Sequence, residues 1–75
     1  MKCRFKTGQH VYTKFHLICE GCLIERGTEC IVKGHSLLGN TYDIEVANDP
    51  KAWMLDVEES ALAASLDEVA EEVPY

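Results

Sequence analysis

No lysine or arginine follows Lys51, and this absence is the strongest compositional signal in the 75 residues. Residues 1–51 carry all seven basic side chains against six acids, a net of +1, while residues 52–75 carry seven acids and a net of −7. Asymmetry of this kind marks an acidic appendage on a near-neutral body. It also argues against direct binding of nucleic acid, because gripping phosphates takes clustered basic residues.

Other absences narrow the field. The apolar runs are a few residues long, far short of the roughly 20 that span a bilayer. The start Met1-Lys2-Cys3-Arg4-Phe5-Lys6 is basic but has no apolar stretch and no small-residue cleavage site behind it, so a secretory leader is not expected. The expected setting is the cytoplasm, where cysteines stay thiols or hold metals rather than pair as disulfides. The five glycines never form the Gly-x-Gly that cradles phosphates, and the serines lack the setting of an activated nucleophile. His10, His16 and His35 are scattered, with no spacing that pairs any of them with an acid or nucleophile. An enzyme is not expected.

What is present reads as one small β domain. A chain of this size buries only about 60% of its unfolded surface, so a metal ion or a partner would add usefully to its stability. Residues 9–14 read as a first strand, with Val11 and Thr13 on one face and Tyr12 on the other. Residues 15–27 read as a long loop or irregular hairpin around Cys19-Glu20-Gly21-Cys22, with Leu17-Ile18 and Leu23-Ile24 as its apolar arms. Residues 28–34 form the next strand, and Leu37-Leu38-Gly39-Asn40 the turn after it. Tyr42, Ile44 and Val46 alternate with Thr41, Asp43 and Glu45, the period of a half-buried strand. A turn over residues 48–51 leads to a last strand, with Trp53, Leu55 and Val57 on one face. The alternation predicts a core of Val11, Val32, Ile44, Val46, Trp53 and Leu55. From Ser60 the period becomes helical, with Leu62, Leu66, Val69 and Val73 as one stripe and Ser60 as the N-cap.

Four segments resemble the small barrels of the SH3-like and KOW type. They are Gly8-Gln9-His10-Val11, Gly27-Thr28-Glu29-Cys30-Ile31-Val32, Tyr42-Asp43-Ile44-Glu45-Val46, and Trp53-Met54-Leu55-Asp56-Val57 with Leu62. Cys30 stands where the KOW pattern has glycine, and the basic surface of the RNA-binding members is missing. The resemblance implies a five-stranded antiparallel SH3-like barrel over residues 1–58, and the helical period after it adds a short acidic helix over 59–75. It also implies a domain that holds other macromolecules. In length, acidity and lack of enzyme signatures the chain is similar to accessory proteins encoded by bacteriophages, among them inhibitors of CRISPR and restriction systems. The expected partner is therefore a host protein or protein complex, one that handles nucleic acid. The alternative is a KOW-like structural or nucleic-acid-binding adaptor.

Three sets of candidate residues follow. Tyr12 and Phe15, beside the long loop, are candidate aromatic anchors. Asp67, Glu68, Glu71 and Glu72 are candidates for an acidic surface that enters a basic groove on the partner. Cys19 and Cys22 have the spacing of a zinc ligand pair, and Cys3 and Cys30, or His10 and His16, are the candidates to complete it. The other reading of the cysteines is a buried Cys30 and free thiols elsewhere.

Overall fold

A computed structural model describes residues 4–19, 22–37 and 40–71, with the side chains of Cys19, Cys22, Ala70 and Glu71 outside that description. The strands are β1 (His10–Thr13), β2 (Leu17–Cys19), β3 (Cys22–Ile24), β4 (Glu29–His35), β5 (Thr41–Val46), β6 (Asp49–Glu58) and β7 (Leu62–Ala63). A 3₁₀ turn at Glu59–Ala61 precedes β7, and a short helix α1 (Leu66–Glu71) follows it. Five strands make one antiparallel sheet in the order β6-β5-β4-β1-β7, and β2 pairs with β3 as a separate hairpin. The protein is thus mainly β with a short C-terminal helix. The sheet is open, with β6 and β7 as its edges, and does not close into the expected barrel.

Alternation builds the core. Val11 and Thr13 of β1, Cys30 and Val32 of β4, and Tyr42 and Ile44 of β5 all turn to one face and are buried. Phe5 and Ile24 cover that face, and Leu62 of β7 joins them. Phe5 meets Tyr42 edge to face, with ring centroids 5.3 Å apart. The Phe5 N–H donates to the Tyr42 hydroxyl, which donates in turn to Glu59 at 2.6 Å. Burial, with that bond to a carboxylate second, pushes the Tyr42 hydroxyl pKa up. Gly27 has φ +84° where Thr28 N–H closes a turn onto the Glu25 carbonyl. A turn with a positive φ at its third residue favours glycine there.

The last strand departs from the expected core. Trp53 and Leu55 are 54% and 56% exposed, while Met54 and Val57 are buried. Ile44 pairs with Met54 and Tyr42 with Val57, so β6 advances three residues where β5 advances two. That extra residue is a bulge, and Asp56 within it has φ +56°. Aspartate tolerates this left-handed conformation better than most residues. A one-residue offset exchanges the faces of a strand, which is why the alternation of Trp53 with Leu55 points to solvent. Val46 is only partly buried against the core. The turn at residues 47–48 is also shorter than expected, so Pro50 and Lys51 already belong to β6. Proline is tolerated there because β6 is an edge strand.

The helix is shorter than the sequence pattern predicts. Leu62 extends the sheet beside Thr13 instead of starting a helix, and it is fully buried. The cap is Ser65 rather than Ser60. Its Oγ accepts the Glu68 N–H at 3.4 Å, while Glu68 Oε1 accepts the Ala64 N–H at 3.0 Å. This is close to the reciprocal capping box of a Ser-x-x-Glu sequence. Val69 is buried, Leu66 is exposed, and Val73 lies outside the described residues.

Three basic side chains dock α1. Arg4 donates to Glu68, Lys14 stands 3.5 Å from the same carboxylate, and Arg26 donates to the Val69 carbonyl at 2.6 Å. The hydrogen bond from Arg4, then that from Ala64 N–H, holds the Glu68 carboxyl down at about 2, against an ordinary 4.5. The folded value lies below the unfolded one. The contribution of Glu68 to stability is therefore complete above pH 4.5 and lost as pH falls through about 2. Thermal melts between pH 6 and pH 2 should show a loss in that window that Glu68→Gln largely removes. An equal loss in Glu68→Gln would assign the acid sensitivity elsewhere.

Candidate docking groove

The bulge in β6 also shapes the surface. Because β6 gains a residue at Leu55–Asp56, Met54 and Val57 both turn inward while Asp56 stays outside. Opposite them runs the segment leaving β1, with Phe15 and His16, followed by Leu17 and Ile18 of β2. Between the two lies an open groove of about 310 Å³, lined further by Glu58, Ser60 and Ala61. That volume is near the lower end of ordinary small-ligand sites, enough to take one large apolar side chain. Met54, Val57 and Ala61 are nearly buried and form its floor, and Phe15, 51% exposed, forms one wall. Asp56 and Glu58 are exposed acids on the rim, and His16 is the single basic-type side chain among the lining residues. His16 Nδ1 accepts the Arg26 N–H at 3.3 Å, which ties the ring to the turn after β3.

The two aromatic candidates part company here. Phe15 lines the groove. Tyr12 is half-buried in β1 between Glu29 and Ala63, on the face opposite Val11 and Thr13, and is not among the lining residues. The acidic candidates also divide. Asp67 is exposed, but Glu68 is bound to Arg4, Lys14 and the helix start, so its charge is answered within the molecule. The side chain of Glu71 and all of Glu72 lie outside the described residues. The acids that border this groove are Asp56 and Glu58, which lie in the same acidic stretch of sequence as the four candidates but are not among them.

The described cysteines fall in two places. Cys30 is fully buried on β4 between Val11 and Val46, with its Sγ 3.7 Å from the Thr28 carbonyl. Burial, reinforced by Glu29, pushes its thiol up to about 11. Cys19 and Cys22 stand opposite each other in the β2–β3 register. Cys3 lies outside the described residues. His10 is taken up by Glu29 at 2.5 Å. Among the described residues, no three side chains of ligand type come together.

Sequence reasoning missed a further apolar surface. Trp53 and Leu55, with Pro50, flank a shallow depression on the outer face of β5 and β6, bordered by Lys33, Asp43 and Glu45.

No family model matches this sequence, and no curated protein or solved structure matches it. No helix among the described residues is long and apolar enough to cross a membrane.

Proposed function

We propose that the protein is a non-catalytic binding module whose groove takes an extended segment of a partner protein, one with a large apolar side chain next to lysine or arginine. The observation that carries this reading is the pairing of an apolar floor (Met54, Val57, Ala61) and an exposed Phe15 wall with a rim of Asp56 and Glu58. An exposed aromatic beside a concave apolar floor is how energetic anchors are arranged in interfaces. The acidic rim and the net charge of −6 select a basic partner and speed its approach. Proteins that handle nucleic acid display basic segments, so an inhibitor or modulator of such a complex, in the manner of small phage accessory proteins, is the role this chemistry suits.

The strand order supports reading the sheet as a relative of the SH3-like barrels, with the last strand beside the first and a hairpin inserted after β1. The adaptor reading, in which nucleic acid binds directly, has less support. Three of the seven basic residues, Arg4, Lys14 and Arg26, are engaged against α1.

Selection from a random peptide library against the whole chain tests the proposal. The enriched sequences should combine a large apolar residue with nearby Lys or Arg, and Phe15→Asp should abolish the enrichment. Enrichment of acidic peptides, or enrichment indifferent to Phe15→Asp, would contradict it.

A further inference from the structure

We propose that Arg26 is a positioning residue that couples the docking of α1 to the groove, an inference that rests on Phe15 forming the wall of the partner site. Neither Arg26 nor any residue of α1 is among the groove lining. Arg26 is nonetheless bound on both sides of Phe15 in the chain. Its Nε donates to the Lys14 carbonyl at 3.0 Å, and its backbone N–H donates to His16 Nδ1 at 3.3 Å. Its Nη2 reaches the other way and donates to the Val69 carbonyl at 2.6 Å. One planar guanidinium, with donors in a fixed fork, therefore joins the backbone just before Phe15 to the helix.

Lys14 is held from three directions. Its N–H donates to the carbonyl of Ala61, a floor residue, at 2.8 Å. Its carbonyl takes the Arg26 bond, and its buried ammonium stands 3.5 Å from Glu68. Phe15 is half in water, so packing alone does not fix it, and its direction follows from the backbone on either side. The helix at the far end of these contacts has only six residues and no basic side chain in its last turn. A helix that short is marginal by itself. It stays on the body through the burial of Val69 and its bonds to Arg4, Lys14 and Arg26. When α1 lifts, Arg26 and Lys14 lose those partners, and a ligand has to order the Phe15 wall as it binds, which weakens the complex. The coupling is reciprocal, so a segment in the groove tightens the docking of α1.

The probe is a basic peptide selected on the unmodified whole chain, titrated near pH 7 into variants whose folding is checked by circular dichroism. Arg26→Ala and Glu68→Gln should each weaken it about five-fold or more, the lower end of ordinary coupling between sites. Arg26→Ala makes the protein more acidic, so charge alone would tighten a basic peptide, and a loss reports the wall. Arg26→Lys keeps the charge without the fork that reaches both carbonyls, and should weaken binding too. Asp67→Asn, on an exposed residue of the same helix, should not. In a Phe15→Ala background, adding Arg26→Ala should change nothing further, because the side chain it positions is gone. Hydrogen exchange at the Val69 amide, which donates to the Ser65 carbonyl, should slow when peptide binds the unmodified chain but not when it binds Arg26→Ala. Full affinity in folded Arg26→Ala or Glu68→Gln, beside a Phe15→Ala chain that binds weakly, would overturn the coupling and leave the groove standing. An equal loss from Arg26→Ala with and without Phe15 would also overturn it, as general destabilisation. Undiminished binding by Phe15→Ala would overturn the groove reading itself, and the coupling with it.

Discussion

Leu62→Ala should unfold the protein, while Trp53→Ala should leave it folded. Leu62 is fully enclosed where β7 meets β1. Truncating a buried leucine costs about 2–5 kcal/mol, from lost transfer energy and the cavity left behind. A single core of this size supplies only about 3–5 kcal/mol in total, so little or no stability should remain. Trp53 has half its surface in water on the outer face of β6, and substitutions at such positions usually cost under about 1 kcal/mol. Intrinsic fluorescence adds a second reading. An exposed indole should emit in the folded state much as it does in denaturant, with little red shift on unfolding. A large red shift together with a collapse of Trp53→Ala would restore the tryptophan to the core and overturn the register of β6.

The second large effect should fall on binding. If Phe15 is the aromatic wall of the groove, Phe15→Ala should weaken a selected basic peptide by about 2 kcal/mol, the level of an interface hot spot, or roughly 30-fold in Kd. Most of that loss should appear as faster dissociation. The rim acids should act differently. Asp56→Asn keeps a residue that tolerates the left-handed φ of +56°, and combined with Glu58→Lys it removes the acidic rim. This pair should slow association and flatten its dependence on salt, because exposed charges act chiefly on encounter and are screened beyond about 10 Å at 0.1 M. Substitutions at Asp67 should change little, because this exposed residue of α1 is not among the groove lining. Measured rates for these variants separate a groove that binds from an acidic tail that binds.

Period-two patterns in the sequence carry most of the sheet. Val11 with Thr13, and Tyr42 with Ile44, identify β1 and β5 and the faces they bury, and the apolar arms around Cys19 and Cys22 anticipate the β2–β3 hairpin. Trp53 and Leu55 show where such reasoning stops. Alternation assigns a face only if the count is unbroken, and the extra residue at Leu55–Asp56 breaks it without any glycine to announce the bulge. Leu62 was misread for a related reason. It fits a helical stripe with Leu66 and Val69, but its pairing beside Thr13 is a long-range contact that a local period does not contain. Glu68 looked like surface charge because its partners, Arg4 and Lys14, lie more than fifty residues earlier. The groove was legible only through Phe15, since its floor and rim depend on the same unannounced bulge.

Backbone amide NMR during titration with a selected peptide should place the partner between Phe15 and the β6 bulge. The largest shifts should fall at Phe15, Ile18, Asp56, Val57 and Ala61. Shifts centred instead on Lys33, Glu45, Trp53 and Leu55 would place the partner on the outer face of the sheet and contradict it.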